Sequence, residues 1–498
     1  MGRVATLVLL GLTGCAQLFG IDSTSGPTTG GDDAPPTPTS SLRYQRISIG
    51  AQAVRSPLDL SSDTAVYIVP DMTDPSGIRR VPVTQTATDT WTAPLDIAAP
   101  VFFDLPDVPT PIKRIFDFPE QNLVGLFGVL EHPNPQPAPA GATLTINVGL
   151  NPPYVAGDLL RLFTVGSWNL RDAPAGEVAV GAGAWNVTFP FSSVSSQVGR
   201  PLEQITTDDA VYLLRYGAGT SDLQGVLAVT PFTQSVSDTL TGTISPNTHD
   251  RTLSFTVDTA AVATRFSATR PAMANLSMSW SVVAAPGYQI VSNAGPVLQA
   301  AGVVAGGNSI NVPYGNPFVK DHDWPDVLTW STAESRTFTP PALGLPVAPQ
   351  TGMFQLAFPT AGMALSLPAG LPITLTMNGT PLTTDGATMT VDPAKAVDVS
   401  FAADVPANTL YQLQLFELVP NSQTAPTALA YQQRLGASGS KPEFLLPPEL
   451  FEVGKTYVLR AICIQGGFPT LGMGDLTNRT PPQAVSFLDG AVFTVAAP

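Results

Sequence analysis

The chain has 498 residues, 44% of them hydrophobic, so it can build real cores and is expected to form about three or four domains. Only 12% of the residues are charged, whereas 50 are proline and 43 are glycine, a composition typical of many short strands joined by turns. The net charge of −15 and the 23 scattered Lys and Arg residues argue against nucleic acid as a partner.

The first fifteen residues predict an export signal. Arg3 is followed by the apolar stretch of residues 4–12, which is too short to span a bilayer. Residues 12–15, Leu-Thr-Gly-Cys, resemble the lipobox of bacterial lipoproteins, in which small residues stand directly before a cysteine. The resemblance implies that residues 1–14 are a signal peptide and that Cys15 carries a lipid. The alternative is an ordinary signal peptide with a chance cysteine.

The same resemblance implies a location. In that family, a residue other than Asp after the cysteine, here Ala16, favours the outer membrane of the cell envelope. Residues 15–41 would then comprise the lipidated cysteine and a linker rich in Pro, Ser, Thr and Gly. Such a linker has too little apolar surface to offset its ordering entropy, so we expect a disordered stalk. The membrane is therefore a predicted partner, through the lipid, with the protein facing the periplasm or the cell surface.

Two pairs of similar stretches indicate an internal duplication. Ala-Val-Tyr ends at Tyr67 and again at Tyr212, and Ile-Asn-Val occupies residues 146–148 and again 310–312. We predict that the first two segments of the ectodomain repeat each other, and that a Pro-rich linker at residues 340–346 precedes the third. The predicted β-sandwich segments are residues 42–191, 192–349 and 350–498.

The last segment carries a second resemblance. In residues 451–461, Gly454 and Tyr457 precede a run of alternating apolar residues. This pattern resembles the E–F corner of fibronectin type III and immunoglobulin-like domains. The resemblance implies that the Tyr457 hydroxyl binds the backbone of the corner, and that residues 397–401 and 411–415 are the second and third strands. The predicted fold is all-β, with tandem antiparallel, immunoglobulin-like sandwiches after the signal peptide and stalk.

No sequence motif indicates catalysis, a metal or a cofactor. The three histidines lie in separate loops, and no G-x-S-x-G, H-E-x-x-H or phosphate-binding glycine loop is present. Residues 321–326 hold three aspartates and a histidine, but they lack the spacing of a calcium loop, so a solvated loop is the simpler interpretation. Cys463 lies in an apolar strand and is interpreted as an inert core thiol, a reactive nucleophile being the alternative. We expect no enzyme, metal or cofactor.

Two functions remain open. The first is a structural or protein-binding role at the cell envelope. The second is carbohydrate binding, because sandwich modules hold glycans by stacking sugar rings on exposed aromatic side chains. Four aromatic residues within 17 positions are candidates for this, although aromatic residues at strand spacing more often form the core. The candidate ligand-facing residues are Tyr314, Trp324 and Trp330, with Phe318 between them.

Overall fold

A computed structural model describes the chain from residue 40 onward, with gaps. The described residues are 40–49, 53–57, 66–71, 73–82, 84–93, 102–104, 113–117, 122–129, 135–196, 201–218, 222–258, 260, 261, 264, 276–284, 296–301, 308–318, 324–365, 372–403, 409–421, 427–439, 441–467 and 482–498. They belong to one unit, Thr39–Pro498. The predicted signal peptide, Cys15 and residues 15–39 of the predicted stalk lie outside them, and Ser40 and Ser41 already belong to the first strand.

The described residues form strands almost throughout, so the predicted all-β, sandwich-type fold class is confirmed. Four successive groups of strands follow one another along the chain, and we call them modules 1 to 4. Module 1 contains β1 (Ser40–Ile49), β2 (Ala53–Pro57), β3 (Val66–Pro70), β4 (Ile78–Pro82), β5 (Thr84–Ala87), β6 (Thr90–Ala93), β7 (Phe102–Asp104), β8 (Lys113–Asp117) and β9 (Asn122–Val129). Module 2 contains β10 (Thr143–Leu150), β11 (Leu159–Val165), β12 (Asn169–Asp172), β13 (Ala184–Pro190), β14 (Ser195–Ser196), β15 (Ala210–Tyr216), β16 (Leu223–Val229) and β17 (Ser237–Pro246).

The two remaining modules complete the chain. Module 3 contains β18 (Arg251–Val257), β19 (Leu276–Ala284), β20 (Pro296–Ala301), β21 (Asn308–Tyr314), β22 (Asp326–Ser335), β23 (Gln350–Ala357) and β24 (Met363–Leu365). Module 4 contains β25 (Pro372–Met377), β26 (Thr380–Pro381), β27 (Ala387–Thr390), β28 (Val397–Ala403), β29 (Thr409–Pro420), β30 (Leu429–Gly439), β31 (Glu443–Leu446), β32 (Thr456–Gly466), β33 (Gln483–Asp489) and β34 (Phe493–Ala496).

Modules 1 to 3 share one pattern of strand pairing. In each, the first strand lies between an antiparallel strand and the last strand of the module, which runs parallel to it. These triplets are β6-β1-β9, β13-β10-β17 and β21-β18-β24. A second group of strands is built around β3, β11 and β19, in the orders β4-β3-β7, β12-β11-β15-β16 and β20-β19-β22-β23. In module 2 the two groups join into one sheet, because β16 pairs with β17. Module 4 keeps part of this pattern as β31-β28 and β30-β29-β32-β33, with β25 beside β28, but its last strand, β34, runs parallel to β27.

The strands form because apolar and polar side chains alternate along them. In β10, Leu144, Ile146 and Val148 are buried, whereas Asn147 between them is exposed. Such alternation places one face of a sheet on a core and the other in water. Strands β11 and β15 differ because both of their faces are buried. Their sheet therefore lies between two cores.

The structure corrects the predicted domain boundaries. The boundary at 191/192 falls inside module 2, where one continuous sheet contains strands from both sides of it. The boundary at 349/350 separates β22 from β23, which are paired along their length. The predicted linker also packs against the protein, since Phe338 and Val347 exchange backbone hydrogen bonds of 2.9 and 2.8 Å and Val347 is buried. The four modules, which follow the recurring order of strands, therefore replace the three predicted segments, and they are parts of one continuous unit.

The stretches taken as evidence of duplication do not lie on equivalent strands. Tyr67 is in β3, the third strand of module 1, whereas Tyr212 is in β15, the sixth strand of module 2. Residues 146–148 lie in the first strand of module 2, and residues 310–312 lie in β21, the antiparallel neighbour of a first strand. The repeat in this chain is therefore one of topology, and it begins at Ser40, Thr143 and Arg251.

Module 4 agrees with the strands and the corner predicted for it. The stretches 397–401 and 411–415 lie in β28 and β29. The chain crosses from β31 in one sheet to β32 in the other, and there the backbone N–H of Glu452 donates a 2.9 Å hydrogen bond to the Tyr457 hydroxyl. The two sheets face each other across a core that includes Val399, Leu413 and Tyr457. Both stretches are thus strands and the corner hydrogen bond is present, but the two strands are the fourth and fifth of module 4 and not the second and third.

Candidate functional site

The three predicted ligand-facing aromatic residues are buried. Tyr314 ends β21, Trp324 lies just before β22 and Trp330 lies within β22. Their exposed fractions are 2%, 1% and 0%. Sugar stacking requires a ring face that is open to solvent, so these residues do not form the surface expected of a glycan site. This corrects the sequence-based assignment.

The aromatic residues belong to a core that modules 2 and 3 share. Trp168 of module 2 stacks on Trp324 of module 3, with parallel ring planes and ring centroids 6.5 Å apart. Phe318 stacks on Trp324 at 5.4 Å, and Tyr212 of module 2 meets Phe318 edge-on at 4.9 Å. Offset-stacked and edge-to-face pairs each stabilise by about 0.5–1.5 kcal/mol beyond the area they bury. We call this set of four rings the aromatic junction.

Trp168 enters the aromatic junction from a tight turn between β11 and β12. Its φ is 51° and that of Gly166 is 105°. A positive φ is strained for a bulky residue, at a cost of about 1–3 kcal/mol, so the surroundings must hold it in place. The Ser167 N–H donates to the buried carboxylate of Asp209 at 2.7 Å, and the Ser167 hydroxyl lies 2.7 Å from that of Thr164. These bonds hold the turn that carries the indole into module 3.

Sequence reasoning did not find this role of Trp168. The available signal was the Gly166-Ser167 pair directly before it, which marks a turn between two strands. A tryptophan in a turn has few neighbours of its own hairpin to cover it: Phe163 of β11 meets the Trp168 ring edge-on at 5.6 Å, and Trp324 of module 3 stacks on it at 6.5 Å. Trp168 is fully buried as a result.

A polar group closes one end of the aromatic junction. Asp326 accepts hydrogen bonds from the Tyr314 hydroxyl at 2.8 Å and from the Asn316 side-chain amide at 2.6 Å, and it is ion-paired with Arg251. Burial, followed by the hydrogen bond to Asp326, raises the pKa of Tyr314, so this hydroxyl remains a donor. Asn316 also donates to the Trp324 carbonyl at 3.1 Å. Asp326, at the start of β22, thus holds the residues at the start of the loop, Tyr314 and Asn316, by hydrogen bonds.

The described residues that the sequence singled out for metal binding or thiol chemistry lie in separate places of the described structure. Within it, no group of three or more His, Cys, Asp or Glu side chains could hold a metal ion. Asp326, the described carboxylate of the predicted acidic cluster, is occupied by Arg251, Tyr314 and Asn316, and residues 321–323 lie outside the described residues. Burial raises the pKa of Cys463 to about 12, so it stays a thiol at neutral pH.

A second junction joins modules 3 and 4. Strand β23 pairs antiparallel with β33, which fuses the larger sheets of both modules into one. At this seam the fully buried Asp489 accepts two hydrogen bonds from Arg460, at 2.6 and 3.0 Å, and one from the Gln350 N–H at 2.8 Å. A buried carboxylate is tolerated where its charge is paired and its oxygens are hydrogen-bonded.

The comparisons with known proteins do not assign a family. No model of a known protein family matches the chain, and no curated protein matches it. One solved structure, described as the structure of the streptococcal ancillary pilin, aligns with 66% of this chain and 98% of its own at 10% identity and a TM-score of 0.12. That score is too low for the alignment to carry an argument. Within the described residues, no helix has the length and apolar character needed to cross a membrane.

Proposed function

We propose that this chain is a non-enzymatic surface lipoprotein of the bacterial cell envelope, with a structural or protein-binding role. The observation that carries the structural part is the aromatic junction, in which the rings of Trp168 and Trp324 from successive modules share one buried core. Modules joined by a dry core hold a fixed relative orientation, as a spacer or scaffold must. Recognition of a partner would then belong to the loops between strands, which such a scaffold positions.

The proposed anchor is a lipid on Cys15, based on the resemblance of residues 12–15 to a lipobox. One acyl chain gives only marginal membrane binding, at about 0.8 kcal/mol for each buried CH₂, whereas two or more chains hold a protein stably. The stalk that follows would separate the modules from the membrane. The corner at Tyr457 and the strand order of module 4 support an immunoglobulin-like or fibronectin type III-like domain at the far end.

Carbohydrate binding is the weaker alternative. It rested on Tyr314, Trp324 and Trp330, whose rings are buried in the core that modules 2 and 3 share. A glycan site would therefore need other residues. The proposal of a scaffold requires no ligand, cofactor or nucleic acid.

The anchor is tested by exchanging each of the two cysteines for serine in the full chain. We expect Cys15→Ser to lose incorporation of labelled fatty acid and to move the protein from the membrane to the soluble fraction. The matched control is Cys463→Ser, which removes the buried thiol of module 4 and should leave the protein acylated and membrane-bound. Membrane association that persists in Cys15→Ser would contradict the proposal.

A further inference from the structure

Strand β8 pairs outside its own module. In modules 2, 3 and 4 the strands at the corresponding point, β16, β23 and β33, each pair antiparallel with the strand before them. In module 1, β8 instead runs parallel to β30 of module 4, from the Leu435 and Lys113 pair to the Gly439 and Asp117 pair. Among the described residues, β8 forms no ladder with β7. The N-terminal module thus donates a strand to the C-terminal one.

The acceptor edge of β30 is unusually open to a foreign strand. Residues 435–439 read Leu-Gly-Ala-Ser-Gly, with no charged residue and no proline. Charges, prolines and bulges are the usual protection of an edge strand, and glycine-rich strands specify their register weakly and are prone to exchange. The bulge and the charge of β30 lie at Arg434, just before the acceptor stretch and not within it. Without β8, this stretch of β30 has β29 on one side and free backbone groups on the other. In the observed structure β8 covers these groups.

The remaining described contacts of module 1 with module 4 are few. Ile78 of β4 packs into the core of module 4, and the Ala396 N–H donates to the Ser76 carbonyl at 2.8 Å. Arg80 is ion-paired with Glu449, but both side chains are largely exposed, so this pair contributes little. Residues 130–142 join module 1 to module 2 and contain four prolines in alternate positions from Pro133 to Pro139. From Gln136 onward this stretch is fixed to module 2, since the Ala138 N–H donates to the Leu202 carbonyl at 3.1 Å and the Gln204 N–H to the Gln136 carbonyl at 2.8 Å. A change in the docking of module 1 would therefore take place before Gln136.

We infer that β8 is an exchangeable strand, and that the β30 edge also accepts β8 from a second copy of this chain. Donor and acceptor lie at opposite ends of the chain, so exchange links copies head to tail. Such a heterologous contact extends into an open filament unless its rotation closes a ring. The pairing within one chain competes at an effective concentration on the order of 1 mM, so exchange is favoured where copies are crowded, as at a membrane surface.

The test uses two single-cysteine variants of the full chain with Cys15→Ser, which leaves only the buried Cys463 as a native thiol. One variant carries Phe116→Cys in β8 and the other Ser438→Cys in β30, positions that are partners in the ladder. Each chain alone lacks one of the two thiols, so a disulfide between positions 116 and 438 forms only between copies. The variants are mixed from about 10 μM to about 1 mM, a range that reaches the expected effective concentration.

We expect mixed disulfide dimers under mild oxidation, in a yield that rises with protein concentration. Random collision is measured by mixing Phe116→Cys with Val180→Cys, which places a thiol at a position of module 2 that is 69% exposed. A donor variant with Ile115→Pro, which removes a backbone N–H from β8, should reduce the mixed dimer to the collision level. A double variant with both cysteines in one chain should close internally at the lowest concentration.

Two results would overturn the inference. Mixed dimers that never exceed the collision control would show that β8 stays within its own chain, even if the double variant closes. Failure of the double variant to close at any concentration, together with no mixed dimer, would show that β8 does not pair with β30. Neither result bears on the lipid anchor, because every chain in this test lacks Cys15.

Discussion

At the scale of single residues, Glu334 is a buried carboxylic acid of module 3 whose pKa makes stability depend on pH. It lies in β22 with 5% of its surface exposed, on the same face as Trp330, and one of its carboxylate oxygens has no hydrogen-bond partner in the described part of the chain. Burial raises the pKa of Glu334 above its ordinary value. A raised pKa means that the folded state holds this proton more tightly than the unfolded state does.

The sign of the pH dependence follows from that difference. Below the pKa that Glu334 has in the unfolded chain, its carboxyl is protonated in both states, so its ionisation does not change the free energy of unfolding. As the pH rises through the unfolded and then the folded pKa, ionisation favours the unfolded state, so stability falls and then levels off. Glu334→Gln removes this loss of stability, because glutamine does not ionise.

We expect the Glu334→Gln variant to have a higher urea midpoint than the wild type at pH 7, and the difference to shrink as the pH is lowered to 4. The exposed Asp208→Asn is the control, and an equal pH response in both variants would contradict the prediction.

At the scale of elements, the seam between β23 and β33 depends on the absence of a side chain. A Cβ on Gly352 would lie 2.6 Å from the Phe487 ring and 3.0 Å from the Thr332 carbonyl oxygen. Real Cβ contacts do not come this close to a ring, so the two strands would have to separate or the ring would have to move. Because Arg460 and Asp489 occupy the same seam, a shift there also disturbs a buried ion pair.

We therefore expect Gly352→Ala to lower the free energy of unfolding by about 1–3 kcal/mol, the usual cost of overpacking a filled site. Gly183→Ala is the matched control, since a Cβ at position 183 meets no atom within 4 Å. Both substitutions reduce the entropy of the unfolded chain to a similar extent, so the difference between them isolates the steric effect. Equal urea midpoints for the two variants would show that the seam accommodates the methyl group.

The elements also show how far sequence reasoning reaches. The strands at residues 397–401 and 411–415 and the corner at Tyr457 were predictable, because alternation was combined with a turn glycine and a tyrosine at fixed spacing. The matches at 146–148 and 310–312 misled because alternating Asn, Thr and apolar residues suit any strand with one face in water. A short alternating stretch therefore identifies a strand but not its place in a sandwich.

The burial of the aromatic residues could not be read from the sequence for a related reason. Alternation distinguishes inside from outside only when one face of a sheet is wet, and the sheet that contains β11 and β15 is covered on both faces. Trp324 and Trp168 are 156 positions apart in sequence and belong to different modules, so no local pattern links them. Their contact follows from how the modules stack, which is a property of the whole molecule.

At the scale of the whole molecule, the two junctions predict that modules 2, 3 and 4 unfold cooperatively. Modules 2 and 3 share one core, and modules 3 and 4 share one sheet, so no one of them can unfold without exposing apolar surface of its neighbour. Two native probes report on different ends of this arrangement. The tryptophans of the chain all lie before module 4, whereas Cys463 is buried within module 4. In the Cys15→Ser background, tryptophan fluorescence and thiol labelling of Cys463 should follow the same urea transition.

Trp168→Ala should break that coincidence. It removes the ring that module 2 inserts beside Trp324, and it should lower stability by about 3–5 kcal/mol, as large-to-small changes of buried aromatic residues do. Because the loss falls between modules, we expect the fluorescence transition to move to lower urea than the thiol transition. Trp185→Ala is the matched control: Trp185 is equally buried but lies in the core of module 2 alone, so its loss should cost stability in module 2 without removing a contact to module 3. If the two probes of Trp168→Ala still coincide while those of Trp185→Ala separate, the coupling between modules does not pass through the aromatic junction.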